Sequence, residues 1–550
     1  MLTDYNNISY TSGPSAIPLL GQTIGQNLKD TVKRFPDNDA LVCVEQNYRS
    51  SYSEFYNQTT TVAKSLLAKG IAKGERVGIW SPNRSEWVLL QYATARVGII
   101  LVNINPSYRS SELEYVLNQS GIKMLVSALS FRGSDYKQMV EEVAANCPTL
   151  TETIYLDKDW DSFLSLSHTI SDETLAEAES TIQFDEPVNI QYTSGTTGFP
   201  KGVTLTHHNL LNNGYFIGVR LKYTDADRVC IPVPFYHCFG MVIGNLCCTS
   251  HGAAMVVPSE SFDPATTLKA VEKEKCTSLY GVPTMFIAEL ALPDFESYNL
   301  TSLRTGVMAG SPCPVEIMKQ VQSKMYMKEV SICYGMTETS PVSIQTVIGA
   351  PLEKQVSTVG TVQDHLEIKI IDPETGHIVP KGQPGELCTR GYSVMLKYWN
   401  NPEATAVVLD DARWMHTGDI AVMDNEGYVN ISGRIKDIII RGGENISPRE
   451  IEEFLYTHPH IEDVQIIGVP DAKYGEVIMA WVKAKKDSGL EEIHLLDFCK
   501  GKIAHYKVPK YWKFTADFPV TITGKVRKVE MREISIKELG LEGLLKIKTS

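Results

Sequence analysis

Ten residues near the middle of the chain constrain its surroundings more than any others: Thr193-Ser194-Gly195-Thr196-Thr197-Gly198-Phe199-Pro200-Lys201-Gly202. Three glycines let the backbone turn tightly and aim N–H groups inward, and four hydroxyls and one lysine add donors. An apolar run over 188–192 precedes the string, and a helix-like run begins at His207. A buried strand that runs into a donor-lined turn can cradle a polyphosphate. The turn is not a Walker A loop: Gly195 and Gly198 are wrongly spaced, and Gly202 follows the lysine where that loop has Ser or Thr. Composition alone would equally describe a polar surface loop, so the rest of the chain has to decide.

The first third alternates the two periodicities. Residues 53–69 and 84–97 read as helices, and 76–80, 99–103 and 123–127 as strands. Ser111-x-x-Glu114 reads as a capping box. Alternation of this kind predicts parallel sheets covered by helices. A chain of 550 residues exceeds one ordinary core, so at least two domains are expected. A second pattern starts near residue 430, with strands over 428–431, 437–440, 464–469 and 477–484. Helices are expected from Ser447-Pro448-Arg449-Glu450, over 491–504 and over 526–539. The expected fold class is α/β. A large N-terminal domain of parallel-rich sheets with flanking helices, residues 1–435, precedes a small α+β domain, residues 436–550.

The formal charge of −13 argues against nucleic acid or an anionic membrane as the main partner. From Arg434 onward 20 Lys+Arg face 18 Asp+Glu, a balance of +2 that leaves −15 on the preceding residues. A less acidic C-terminal part would suit a polyanionic ligand. Eleven cysteines contain no CxxC pair, which reads as reduced core thiols in a cytoplasmic protein, not a disulfide frame or a zinc site. No signal peptide is visible, residues 87–104 read as buried helix and strand because they contain Arg96 and Gly98, and the ending KIKTS is not a peroxisomal address.

The string at 193–202 resembles the signature of the adenylate-forming superfamily, which includes acyl-CoA synthetases, beetle luciferases and the adenylation domains of peptide synthetases. The resemblance runs over roughly residues 40 to 535 and implies a luciferase-like fold with a mobile C-terminal domain. Through it, Thr193, Ser194, Gly195, Thr196, Thr197, Gly198 and Lys201 would hold the phosphates of ATP. Pro234-Phe235-Tyr236-His237 is similar to the segment that gates the acyl pocket, and Ala309-Gly310-Ser311-Pro312 to the loop that packs on adenine and the acyl group. Within Tyr334-Gly335-Met336-Thr337-Glu338, Tyr334 would stack on adenine, Thr337 would touch the α-phosphate and Glu338 would hold Mg²⁺. A carboxylate just after the buried-looking run 330–333 would in any case need a partner. In WMHTGD, residues 414–419, Asp419 would take the ribose hydroxyls, with Arg434 as a second ribose contact. Lys436 falls at the hinge position, Arg441, Gly442 and Gly443 would line the path of coenzyme A, and Lys525 in Thr523-Gly524-Lys525 would be the catalytic lysine. The catalytic set implied is therefore Lys525, Glu338, Thr337 and His237.

The strings 191–213 and 518–533 are similar to the medium-chain fatty acyl-CoA synthetase branch. That branch implies ATP, Mg²⁺ and coenzyme A as cofactor and co-substrates, a small carboxylic acid as substrate, no nucleic acid, and no transmembrane segment; a homodimer is compatible with it. The acyl pocket expected is His237, Met241, Val242, Gly335, Met336 and Val342, with the missing side chain of Gly335 leaving its floor open. Other readings stay open. An aryl or hydroxycinnamate-type ligase differs only in the pocket, a luciferase-like oxygenase shares every motif, and an inactive nucleotide-binding homologue is the non-enzyme reading. An amino-acid-activating domain is disfavoured because residues 231–245 contain no Asp or Glu. Relative to luciferases and hydroxycinnamate ligases, the lysine four residues past the hinge is Ile440 here.

Overall fold

Strands of the first third are apolar on both faces, as in Ile100–Asn103, where every residue is buried, so they need helices on both sides. The computed structural model describes residues 7–193, 200–311, 313–434, 437–441, 444–521 and 524–546. A seven-stranded sheet runs in the order Lys397–Tyr398, Lys201–Thr206, Pro187–Thr193, Ile100–Asn103, Arg76–Trp80, Ile122–Ser127 and Glu152–Tyr155. Its last five strands are parallel. A nine-stranded sheet is parallel from Asp39–Cys43 through Ala254–Val257, Arg228–Cys230, Ser278–Gly281 and Thr305–Ala309 to Glu329–Gly335. Antiparallel strands flank it at both ends. One large core, including Val77, Leu101, Leu211, Ile231 and Val257, joins the two sheets and the helices Tyr52–Ala68, Ser85–Arg96 and His207–Arg220.

The sequence reading did not include a third sheet. It is wholly antiparallel, in the order Tyr10–Ser12, Leu366–Ile371, Gly385–Gly391, Met415–Met423 and Val429–Arg434. A fourth sheet lies beyond residue 435: Glu444–Ile446, Ile439–Arg441, Gly475–Ala484 and Ile461–Asp471, with Tyr511–Phe514 parallel to Gly475–Ala484. It has its own core around Ile439, Ile451, Leu455, Val464 and Ile478.

Local chemistry sets the ends of several elements. Ser51 and Glu54 form a reciprocal capping box on Tyr52–Ala68. The box expected at Ser111 and Glu114 sits two residues earlier: the helix is Ser110–Ser120, and Glu112 accepts the Arg109 N–H at 3.0 Å. Glu114 instead accepts from Asn146 at 3.1 Å. Ser447 flanks the helix Pro448–Tyr456, but its hydroxyl donates to the Ser432 carbonyl and makes no cap. The helix expected over 491–504 is shorter, Glu492–Cys499, because the chain turns out of it before Gly501 at φ 71°. Arg96 is buried, and it pairs with Glu179 at 2.7 Å while lying over the Tyr56 ring. Among the described residues no helix is long and apolar enough to cross a membrane.

Candidate active site

The string over 193–202 is not followed directly by a helix. The strands Pro187–Thr193 and Lys201–Thr206 pair antiparallel as a hairpin, with Thr193 opposite Lys201, and the second strand intervenes before the helix at His207. Ser194, Gly195, Thr196, Thr197 and Gly198 lie outside the described residues, as do Pro312, Lys436, Gly442 and Gly443. Thr206 caps the following helix reciprocally with Asn209, which fixes the far end of the hairpin.

Lys201 places its ammonium 5.0 Å from the centre of the Tyr398 ring. The Tyr398 hydroxyl donates to Glu338 Oε1 at 2.7 Å. Glu338 is 5 % exposed, so this bond answers the need for a partner that its position implied. It lies in the short turn Thr337–Thr339, and its main-chain oxygen accepts from Met395 at 2.9 Å. Desolvation, with the Glu338 charge next, holds the Tyr398 phenol far above its ordinary value, so the hydroxyl stays a donor. Tyr398 escaped the sequence reading because nothing local marks it; only the pairing of Lys397–Tyr398 beside Lys201–Thr206 brings it in.

A second cluster surrounds Asp419, which is buried. Tyr334 donates to Asp419 Oδ2 at 2.6 Å, and Arg434 Nε donates to Oδ1 at 3.1 Å. Asp419 and Arg434 are cross-strand partners, which is why residues 15 apart in sequence meet. Desolvation, then the Asp419 charge, pushes the Tyr334 phenol well above its ordinary value. The ring of Tyr334 ends the parallel run of the nine-stranded sheet while Asp419 belongs to the antiparallel sheet, so the cluster joins the two.

Lys525 comes to these groups from the far end of the chain. Gly524 N–H donates to Thr521 O at 2.9 Å and Thr521 N–H to Lys525 O at 2.8 Å, closing a tight turn. Gly524 has φ 77°, where a side chain is strained. Thr284 Oγ1 donates to the Gly524 carbonyl at 3.2 Å, tying the turn to the start of the helix Pro283–Leu290. Val282 lies beneath both this turn and Gly310: an added Cβ would meet it at 2.7 Å from Gly524 and at 3.1 Å from Gly310. Neither Val282 nor Thr284 carries a sequence signal. Lys525 is exposed to solvent, yet protein crowds its ammonium. Desolvation and then the charge of Arg434 lower its pKa to about 8, against the pull of Asp419, Asp437 and Glu338. His237 is held down to about 4, by desolvation first and the Lys525 charge second. Its Nδ1 accepts the Phe239 N–H at 3.1 Å, so the neutral ring carries its proton on Nε2. Lys525, Arg434, Asp419, Glu338 and His237 thus share one electrostatic neighbourhood.

Of the expected acyl-pocket residues, Met241, Val242 and Val342 are buried, and Met241 and Val242 belong to a π-helical stretch, Phe239–Leu246. Buried amides interrupt the apolar lining: Asn103 and Gln191 both donate to the Met241 sulfur, at 3.1 and 3.0 Å. Gly335 requires a correction. A Cβ there would lie 1.7 Å from the Pro341 carbonyl oxygen, at the register shift between Glu329–Gly335 and Val342–Gln345. The glycine permits a close approach of two backbones; the space of its missing side chain is occupied and does not open a pocket floor. Met336 is half-buried and packs on the large core. Arg441 makes its described contacts within the fourth sheet's unit, donating to the Tyr506 carbonyl and lying 5.3 Å from the Tyr474 ring centre. A cleft of about 370 Å³ adjoins the Thr521–Lys525 turn, between Tyr236, Thr284 and Met285 on one side and Lys483, Phe518 and Thr521 on the other.

Known proteins resemble this chain over nearly its whole length. The profile of the family described as AMP-binding enzyme matches residues 28–399, and that of the AMP-binding enzyme C-terminal domain matches residues 450–525. A Bacillus subtilis protein named "Putative acyl-CoA synthetase YngI" is 47 % identical over 543 residues, covering 95 % of this chain and 99 % of its own. A Danio rerio protein named medium-chain acyl-CoA ligase ACSF2, mitochondrial, is 43 % identical over 97 % of this chain and 91 % of its own. Among solved structures, the anthranilate CoA ligase AuaEII in complex with anthranoyl-AMP superposes with a TM-score of 0.84 at 25 % identity, over 96 % of this chain and 99 % of that one.

Proposed function

The chain belongs to the AMP-binding enzyme family, and from that membership we propose that it is an ATP-dependent, AMP-forming acyl-CoA ligase for medium-chain fatty acids. The observation that carries the reading is the turn Thr521–Lys525, which delivers a lysine to the neighbourhood of Glu338, Asp419, Arg434 and His237. A carboxylate is a poor acyl donor because oxide would have to leave. Its oxygen therefore attacks the α-phosphorus of ATP, the bond to the β-phosphate oxygen breaks, and pyrophosphate departs. Two anions approach each other, and Lys525 and Lys201 supply compensating positive charge. Asp419 takes the ribose hydroxyls on the remaining lone pairs of oxygens already bonded to Tyr334 and Arg434. Magnesium fits Glu338, because a single buried carboxylate suits a cation that draws its other ligands from water and phosphate. When bound, that ion adds charge against the pyrophosphate. The neutral His237 ring offers an Nε2–H donor beside the acyl group.

In the second half-reaction the sulfur of coenzyme A attacks the acyl carbonyl carbon and AMP leaves with its phosphate oxygen. This reading assigns residues 1–435 to the adenylating domain and 436–550 to a domain that rotates about Lys436, withdrawing Lys525 and presenting Arg441, Gly442 and Gly443. Free thiols at all eleven cysteines support a reducing, cytoplasmic setting. The test is pyrophosphate release across carboxylic acids of two to sixteen carbons plus benzoate and hydroxycinnamate, with and without coenzyme A. Acyl-CoA formation peaking at roughly six to twelve carbons is expected. Preference for an aryl acid would overturn the substrate assignment, and no release with any acid would overturn the activity.

A further inference from the structure

The spacing of the eleven cysteines holds no zinc pattern, but the third sheet assembles one across strands. Cys388 and His416 are cross-strand partners in the antiparallel pair Gly385–Gly391 and Met415–Met423. Glu386, two residues before Cys388, reaches the same point. His416 Nδ1 lies 3.0 Å from Glu386 Oε2 and 3.6 Å from Cys388 Sγ, and one donor atom from each of the three residues falls within 4.8 Å of the others. We propose that Glu386, Cys388 and His416 form a three-residue site for a zinc-class divalent cation, with water as fourth ligand, which clamps the strand that carries Asp419.

The distances favour this ion. Around tetrahedral zinc, with bonds of about 2.0 to 2.3 Å, nitrogen, oxygen and sulfur ligands sit roughly 3.3 to 3.6 Å apart. The two pairs that involve His416, at 3.0 and 3.6 Å, lie within about 0.3 Å of that spacing, and the Glu386–Cys388 pair falls within 4.8 Å. A thiol, an imidazole and a carboxylate together favour a borderline-soft ion over magnesium or calcium, which take oxygen ligands. The surroundings fit as well. A ligating histidine commonly directs its other ring nitrogen at a carboxylate. Here Nε2 of His416 faces Asp410 Oδ2 at 3.9 Å, and Asp410 Oδ1 is fixed by the Trp414 N–H at 2.8 Å. Cys388 is fully buried against Ile371 and Trp414, so its sulfur has little freedom to turn away, whereas His416 remains 30 % exposed and gives the ion a way in. On binding, the thiol releases its proton to solvent and ligates as thiolate.

The site reaches the nucleotide pocket through Glu386. Its Oε1 accepts the Gly418 N–H at 3.1 Å while Oε2 faces the metal position, and Gly418 adjoins Asp419. An ion bound by Oε2 would therefore hold the main chain immediately before the ribose-binding carboxylate.

Chelator-treated full-length protein, without nucleotide, is titrated with zinc chloride alone and in parallel with cobalt(II) chloride. Wild type should bind one zinc, gain several degrees in Tm, and show a thiolate-to-cobalt charge-transfer absorption. Cys388→Ser and His416→Gln should each lose at least ten-fold in affinity and lose the Tm gain, and Cys388→Ser should lose the absorption. Cys147→Ser, which removes another buried thiol, should behave as wild type. Tm values of all variants in chelator identify any that fail to fold; His416→Gln, at a partly exposed position, keeps the test decisive if Cys388→Ser does. Zinc bound equally by wild type and His416→Gln, or no cobalt–thiolate absorption in wild type, overturns the proposal.

Discussion

Replacing Lys525 with alanine removes the cation that the Thr521–Lys525 turn carries into the cleft. Adenylate formation should slow by about 100-fold or more, the usual loss for one charge-stabilising donor. If the lysine withdraws before the second step, thioester formation from a supplied acyl-adenylate should suffer far less; equal losses in the two half-reactions would contradict that order. The pKa near 8 adds a second reading of the same residue. Only the protonated form helps, so wild-type adenylation should fall as pH rises through about 8, and the alanine variant should lack that limb. Glu289 behaves oppositely. It is 1 % exposed, neither carboxyl oxygen has a partner among the described residues, and desolvation holds its pKa well above the ordinary value. The folded chain keeps a proton that the unfolded chain gives up above about 4.3, so the stability it contributes is intact at lower pH and lost as pH rises. Glu289→Gln should gain on wild type by up to about 1.4 kcal/mol for each pH unit above that value, measured as urea unfolding between pH 5 and 8. The residues proposed for the chemistry, Lys525, Glu338, Asp419 and Arg434, stand in extended motifs, which is why sequence alone singles them out. Their partners, Tyr398, Thr284 and Val282, were not legible, since each acts through a cross-strand or cross-unit contact that no local pattern encodes.

Among the elements, the hairpin that joins Glu329–Gly335 to Val342–Gln345 depends on the absence of a side chain at Gly335. Even one methyl group would sit 1.7 Å from the Pro341 oxygen, and main chain cannot swing aside as a side chain can. Gly335→Ala should therefore cost at least the roughly 1 to 3 kcal/mol of ordinary overpacking, and Gly335→Trp more. Both should lower Tm and reduce pyrophosphate release with every acid. A tryptophan variant that keeps its Tm and only shifts preference toward acetate would restore the pocket-floor reading. The parallel strands Arg76–Trp80, Ile100–Asn103 and Ile122–Ser127 were legible from continuous apolar runs and intervening helical spacing, while those between 228 and 309 were not read. The antiparallel sheet over residues 366–434 was not: its strand Leu366–Ile371 alternates buried and half-exposed positions but lies among turn-rich segments that give no helical counterpoint. The strand Lys201–Thr206 was hidden in the same way, because its loop drew attention to the helix beyond it.

For the whole molecule the question is how the C-terminal unit is held and released. Its helix Pro448–Tyr456 binds the preceding strand, with Arg449 donating to Ile431 O at 2.6 Å, and Glu453 accepts from Val315 N–H at 3.4 Å. If rotation about Lys436 separates the two half-reactions, Lys436→Pro, which fixes φ, should restrict it. Single-turnover pyrophosphate release should survive while coenzyme A-dependent turnover falls by about ten-fold or more. Wild-type turnover in that variant would place the pivot elsewhere. The change of pattern near residue 430 lies close to where the fourth sheet and its own core begin; the contacts of that unit were not legible, since polar loops that dock read like polar loops that do not. The docking bond between Thr284 and Gly524 has a lopsided vulnerability. Its acceptor is a peptide oxygen, present whatever residue occupies position 524, while its donor is a single hydroxyl. On the turn's side the constraint is one of fit: a Cβ on Gly524 would meet Val282 at 2.7 Å and Thr284 Oγ1 at 3.0 Å. If the C-terminal unit does rotate between half-reactions, one substitution at Thr284 would loosen the docked turn and shift the timing between them without altering any residue proposed to touch substrate.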